Sequence, residues 1–289
     1  MISSGKSAQF PRTGAASATF HSPGESLLET DDGAGAGKYL STFKHAELVV
    51  SIDELLISTA FIASIDEAME HFDVRSQYST ECGRQLAYAL DKFVIRCIGA
   101  GARAAALYTG APTGDTIELA ADGAGLIAGI KDAAQKMDEN DVPQEGRMCV
   151  LPPSMYYLLV DSNKDAINRD YNNPGNGSVA EGVVVSAFGM RILKSNHVPS
   201  TNETSDALMA HAGIRNDPFA GAGVGYGANF ANTKGFCFHQ SSVAVVKLMD
   251  LAVESEYQVE RQGTILAAKL ACGASHLRQE ACFELQDAS

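Results

Sequence analysis

The chain has 289 residues, 45% of them hydrophobic and 20% charged, with a formal net charge of −13. That balance builds a globular core in one large domain or two ordinary ones, and its acidity opposes gripping nucleic acid, which takes clustered Lys and Arg. No apolar run reaches the ~18 residues of a membrane span; the first residues are not a signal peptide, and six scattered cysteines without a C-x-x-C read as reduced thiols of a cytosolic product, not zinc ligands.

Residues 1–9 form a short arm. Within it Gly5-Lys6-Ser7 looks like the end of a phosphate-binding loop. The first glycine of that loop would fall before Met1, however, and Phe10-Pro11 stops any helix the loop could open. Residues 8–54 then read as two extended arms around a tip at 21–38, the projection proper spanning 10–47. Leu48-Val49-Val50-Ser51-Ile52 is strand-like on the second arm. The tip holds Pro23-Gly24 and the run from Asp31 to Gly37, which is too polar and glycine-rich to pack a core. A two-stranded ribbon is marginal alone in water, so its order must come from something it lies on.

The clearest helix is predicted over 73–99. Val74, Tyr78, Cys82, Leu86, Leu90, Phe93 and Cys97 recur at spacings of four and three and draw one apolar stripe, with Asp73 as N-cap and Gly99-Ala100-Gly101 as the stop. A helix of that length with one apolar side backs a sheet, with Tyr78, Leu86, Leu90 and Phe93 as its core contacts. Next come a strand at 116–120 and a helix from Asp122 that places Leu126, Ile130, Ala133 and Met137 on one face. A strand at 147–151 and a short helix from Pro152-Pro153 to Val160 follow, then strands at 183–185 and 189–193. Residues 202–234, rich in Gly, Ala and Asn, read as a long loop or short hairpins, and 236–248 as a strand. The last region, 252–285, is extended, with turns at Gln262-Gly263 and near Gly273.

Evidence for chemistry is thin. Gly123-Ala-Gly125-Leu-Ile-Ala128 opens a helix after a strand, as the dinucleotide fingerprint G-x-G-x-x-A does, so a nucleotide-binding α/β enzyme is the alternative reading. No acidic residue marks a strand end about twenty positions on, and a small-residue helix start packed on its neighbours explains the same run. The seven histidines never pair at helical metal spacing, G-x-S-x-G is absent, and His239-Gln-Ser-Ser242 reads as a polar strand edge. No catalytic, cofactor-binding or metal residue is assigned.

Several stretches carry a family resemblance: residues 2–11, His45-Ala-Glu-Leu-Val-Val-Ser-Ile-Asp53, residues 65–78, residues 239–252, and His276-Leu-Arg-Gln-Glu-Ala281. In this order they resemble the major capsid proteins of T-seven-like short-tailed phages, a match that brackets nearly the whole chain and is loose over 103–234. The resemblance implies an α+β fold of the tailed-phage (Hong Kong-type, Johnson) kind. In it, 10–47 is the extended loop, 48–110 with 251–289 the peripheral domain carrying the spine helix, and 111–250 the axial domain. The family pattern has a further stretch, with a helix, ahead of the segment that begins here at Met1. The implied function is structural, without enzyme activity or cofactor: hexamers and pentamers of this chain close an icosahedral head. The implied partners are other copies, a scaffolding protein, a portal at one vertex and packaged DNA held without sequence-specific contact; no membrane is involved. Assembly would take place in the host bacterial cytoplasm, and the product would be the virion capsid. A nanocompartment shell of the same fold is a further alternative. On this view the projection clasps a neighbouring subunit, with Arg12, Lys38 and Lys44 on its arms and Glu25, Glu29, Asp31 and Asp32 at its tip supplying complementary charge.

Overall fold

Two strands, β1 (Ser7–Thr13) and β2 (His45–Ser51), pair antiparallel as a ribbon, with Phe10 opposite Leu48 and Thr13 opposite His45. The computed structural model describes residues 5–14, 16, 18–24, 26–27, 43–70, 73–120, 122–162, 177–178, 183–184, 186–219 and 225–287. After the ribbon come β3 (Leu56–Ala63), α1 (Ser64–Met69) and the long α2 (Val74–Arg103). The middle of the chain contributes β4 (Asp115–Leu119), α3 (Gly123–Glu139), β5 (Arg147–Leu151) and α4 (Pro153–Ser162). It also contributes the short β6 (Gly177–Ser178), β7 (Val183–Val184) and β8 (Ser186–Ala187), then β9 (Met190–Lys194) and β10 (Thr233–His239). The chain closes with β11 (Val243–Gln258), β12 (Gly263–His276), a 3-10 turn at Gln279–Ala281 and β13 (Cys282–Asp287).

Two sheets hang on α2. A three-stranded antiparallel sheet, order β11-β12-β3, lies along its first part, where Cys82 and Leu86 pack on Ala268, Leu270 and Cys272, and Val74 on Ile62 and Leu266. A six-stranded mixed sheet, order β4-β13-β10-β5-β9-β8, meets its last turns, where Ile98 and Ala102 pack on Val150, Phe236 and Cys282. The opposite face of that sheet is covered by α3 and α4, through Leu126, Ile130, Ala133, Met137, Tyr156 and Leu159. Both faces of its central strands are therefore buried. Each large apolar side chain so enclosed contributes about 1.5–3 kcal/mol relative to exposure.

The predicted helix forms, and the Asp73 carboxylate accepts from the Ser76 N–H at 3.2 Å as its N-cap. It does not stop at Gly99-Ala100-Gly101 but runs on to Arg103. Those glycines serve close packing: a Cβ on Gly99 would lie 3.0 Å from a Phe230 ring carbon, and one on Gly101 only 2.6 Å from Cys282 Sγ. Of the expected core contacts, Leu86 and Phe93 are buried and Leu90 is half-buried beside Leu86. Tyr78 is a correction. It is 44% exposed, lying along the helix between Val74 and Cys82, both of which are buried.

Further differences concern the C-terminal third. The strand expected at 236–248 is two strands, parted by a turn in which the Ser242 N–H donates to His239 O at 2.9 Å. The turn at Gln262 is present, with φ of 49°, whereas Gly273 lies inside β12 and makes no turn. β13, expected among the returning strands at 251–289, inserts between β4 and β10 of the six-stranded sheet. Its residues Cys282 to Leu285 are buried on alternate sides, a pattern that only a central strand satisfies.

Candidate assembly interface

The ribbon is seated by apolar packing and by one polar clamp. Val50 and Ile52 are buried against Val246 and Ala271, with Ala8, Phe10 and Leu248 around them. Beyond that seat, the Asn216 side chain bridges to the ribbon: its Nδ2 donates to Ser51 O at 2.7 Å and its Oδ1 accepts from the Ser51 N–H at 2.9 Å. Asp53 accepts from the Arg215 N–H at 2.8 Å, from Asn216 Nδ2 at 2.9 Å and from the Tyr226 hydroxyl at 2.5 Å. Burial pushes the Asp53 pKa above the usual carboxylate range even though these bonds pull it down. The Tyr226 hydroxyl also accepts from the Ala274 N–H at 3.0 Å, and burial raises its own pKa strongly. Asp53 thus ties the ribbon root to β12 and to the loop over α2.

Two arginines, the buried Arg96 and the half-buried Arg103, hold α2 itself. Arg96 grips Glu203 through both nitrogens at 2.6 Å, and Arg103 grips Glu284 of β13 at 2.6 and 2.7 Å. Glu284 is wholly buried and also accepts from the Thr233 hydroxyl at 2.5 Å. Paired, bidentate and hydrogen-bonded, such charges are tolerable in a core; removing one partner strands the other.

The predicted contact residues divide sharply. The guanidinium of Arg12 pairs with Glu280 of the same chain, both largely buried, so it is not an outward-facing charge for a neighbour. That is a correction, and its cause is the ribbon lying down on its own 3-10 turn. Lys44 donates to Thr109 O at 3.1 Å, again within the chain. Glu25, Glu29, Asp31, Asp32 and Lys38 lie outside the described residues. The exposed side chains of the ribbon and of the segment between its strands include apolar ones: Val49 on β2, and Phe20, Leu27 and Phe43 between the strands, with Phe20 fully exposed. A second exposed apolar group lines the three-stranded sheet and its flank, with Ile57, Phe61, Leu251, Val253 and Tyr257. Sequence reasoning missed both groups because it weighed the charges; Phe20 and Phe43 flanking a polar tip were the available signal. Exposed apolar patches of this kind mark protein–protein contacts.

The alternative chemical sites resolve into structure. The Asp122 carboxylate caps α3, accepting from the Gly125 N–H at 2.6 Å, so a negative charge already occupies the position a phosphate would take. A Cβ on Gly125 would lie 2.6 Å from Ala120 O, which makes that glycine a packing residue. Lys6 stands at the start of the ribbon, where its carbonyl accepts from the Ile52 N–H at 2.8 Å, with no helix behind it. His239 is buried, its Nε2 2.9 Å from Glu145 O and its Nδ1 2.8 Å from Ser241 Oγ. All six cysteines are free and buried. Burial raises the thiol pKa of Cys97 and Cys282, and that of Cys272 to about 11, while the hydrogen bond with Cys149 and then burial raise that of Cys237, which removes nucleophilic character. Among the described residues no group of three His, Cys, Asp or Glu is placed to hold a metal, and no helix is long and apolar enough to cross a membrane.

Residues 9–286 match the protein family described as Gp10A-like major capsid protein. The chain belongs to this family. It is 32% identical over 298 residues to the major capsid protein of Escherichia phage T7, covering 97% of this chain and 82% of that one. Against the major capsid protein of Enterobacteria phage T3 it is 29% identical over 297 residues, with the same coverage. Among solved structures, the capsid of cyanophage P-SCSP1u matches with a TM-score of 0.83 and 38% identity, over all of this chain and 85% of that one. The mature capsid of bacteriophage PhiM1 shares the fold, with a TM-score of 0.74 at 20% identity over 99% and 83%. The capsid protein therefore has the α+β fold of tailed-phage shells, and its role is structural, in the virion capsid. The nucleotide-binding alternative falls with the Asp122 cap and the family together.

Proposed function

We propose that this chain forms the hexamers and pentamers of an icosahedral phage head around double-stranded DNA, with residues 10–47 as the clasp between neighbouring subunits. The observation that carries the reading is the ribbon itself. It is fixed at its root by Asn216 and Asp53, yet it presents Phe20, Leu27 and Phe43 to solvent. Apolar side chains exposed between the strands of a two-stranded ribbon gain a covered environment on another chain. Glu25, Glu29, Asp31, Asp32 and Lys38 supply the charged part of that contact; each pair is weak, but the contact recurs around every capsomer. In the same reading the three-stranded sheet with α2 is the peripheral part, and the six-stranded sheet with α3 and α4 the axial part. A net charge of −13 suits a container that must not adhere to packaged DNA. A scaffolding protein, a portal and assembly in the host bacterial cytoplasm complete the proposal.

The test replaces residues 21–38 by a short Gly-Ser turn. The expected product is folded by circular dichroism and appears in negative stain as small oligomers only. Closed shells of normal size from that variant would show that the ribbon tip is decoration.

A further inference from the structure

One free strand edge in this protein lacks the devices that keep edges apart. β3 lies at the margin of the three-stranded sheet, in the order β11-β12-β3. From Leu56 to Ala63 it holds no charge, proline or glycine. β11, the opposite margin, carries Lys247, Asp250, Glu254 and Glu256 and is broken by register shifts. Among the described residues, the free edges of β1, β2, β4 and β9 each carry a charge or a proline, and β6, β7 and β8 are two residues long. Proteins blunt their edges in these ways because an open row of N–H and C=O groups pairs with another chain.

The ladder fixes which groups are open. Ala63 stands opposite Gly263, and in the same register the Ser64 N–H donates to Gln262 O at 3.0 Å. Bonded and non-bonded pairs alternate along an antiparallel ladder. Ser58, Ala60 and Ile62 therefore turn their N–H and C=O to β12, while Ile57, Thr59, Phe61 and Ala63 turn theirs to the open side. Leu56, Ala60 and Ile62 pack toward α2. On the other face Ile57 is 59% and Phe61 44% exposed, and Thr59 between them is exposed too. We infer that β3 pairs antiparallel with β3 of a second copy of this chain, about a two-fold axis at Thr59. The open side is its own complement. In this register Ile57 faces Phe61 of the second copy, Phe61 faces its Ile57, and the two Thr59 residues meet on the axis. Aromatic against β-branched and Thr against Thr are favourable cross-strand pairs, and no like charges are brought together. Such a contact is isologous and joins copies two by two. The ribbon clasp joins unlike surfaces and runs round a ring, so the two contacts are separate.

The experiment is a Thr59→Cys chain, held with oxidised glutathione under the conditions in which the protein assembles and then run on a non-reducing gel. Bonded partners in an antiparallel pair stand about 5.5 Å apart at Cα, within the span of a disulfide. Two thiols on the axis form one S–S bond and reduce one glutathione disulfide to two thiols; the native cysteines are buried. A cross-linked dimer is expected, with none from Glu256→Cys at the charged margin of the same sheet. In the unaltered protein, hydrogen exchange at Ile57, Thr59 and Phe61 should slow by about tenfold or more on assembly, the scale of a net hydrogen bond. Monomer alone from a Thr59→Cys chain that assembles overturns the inference and leaves the ribbon clasp standing. Slowed exchange without the cross-link overturns it as well, because another segment then holds the edge, and so does an equal dimer from Glu256→Cys. A Thr59→Cys dimer in a chain that closes no shells supports the pairing and counts against the clasp.

Discussion

Replacing Gly273 by alanine tests whether the seat of the ribbon is as tight as its geometry says. A Cβ at this position in β12 would lie 1.9 Å from Ser51 O, 3.0 Å from Ser51 C and 2.9 Å from Asn216 Nδ2. An ordinary carbon–oxygen contact is about 3.3 Å, so the two strands must part by about 1.4 Å at this point. Both obstructing Ser51 atoms are backbone, so no side-chain rotation relieves the clash. A shift of that size takes the 2.7 Å Asn216–Ser51 hydrogen bond out of range and strains its 2.9 Å companion. Overpacking costs about 1–3 kcal/mol and a lost hydrogen bond about 0.5–1.5, which together give about 1.5–4.5 kcal/mol. That is a large share of the roughly 5–15 kcal/mol that holds a domain folded. Urea unfolding of the unassembled chain by circular dichroism should show the loss as a lower midpoint at an unchanged slope. Gly83 in α2 is the control, because its added Cβ meets only Leu251 at 3.7 Å. Gly83→Ala should gain up to about 1 kcal/mol from helix propensity. A Gly273→Ala protein within about 0.5 kcal/mol of the parent would refute the argument from close approach.

Three other outcomes are expected. Leu86→Asp buries an unpaired charge and should cost several kcal/mol, whereas Gln85→Asp, exposed one position round the helix, should stay within about 0.5; equal losses would mean that the helix faces the sheet by another side. Asp53 has its pKa raised by burial, so its folded form takes up a proton more readily than its unfolded form. Its contribution is therefore complete below the unfolded value of about 3.9 and is lost as pH rises through the raised folded value. Unfolding titrations should show this component of the pH slope in the parent and not in Asp53→Asn; identical slopes would contradict it. The six buried thiols should react with an aromatic disulfide reagent only on unfolding, and fast reaction of any of them in the native protein would contradict their burial.

Legibility in the sequence followed the range of the interaction concerned. Elements set by local periodicity and capping were readable. Asp73 caps α2, Asp122 caps α3, and Leu126, Ile130, Ala133 and Met137 form one buried face. The strand at 147–151 has the bounds its composition implies. The long helix was placed but stopped too early, because Gly99 and Gly101 look like terminators until Phe230 and Cys282 are seen pressing on them. Gly273 was misread as a turn for the same reason, since the carbonyl that demands a glycine there belongs to Ser51, far away in the chain.

The family, the α+β character and the ribbon followed from residue order alone, because each rests on short segments whose chemistry is local. Only the tertiary structure decided where the ionic groups of the ribbon go. Arg12 reads as a free cation on an extended arm, and its pairing with Glu280 requires the ribbon to fold back across 268 positions of sequence. The place of β13 in the middle of the six-stranded sheet was decided in the same way. Its burial is continuous from Cys282 to Leu285, on both faces, because β4 and β10, arriving from elsewhere in the chain, flank it. Local periodicity is a property of neighbours in sequence, whereas charge pairing and strand order are properties of neighbours in space, and only the folded chain brings those together.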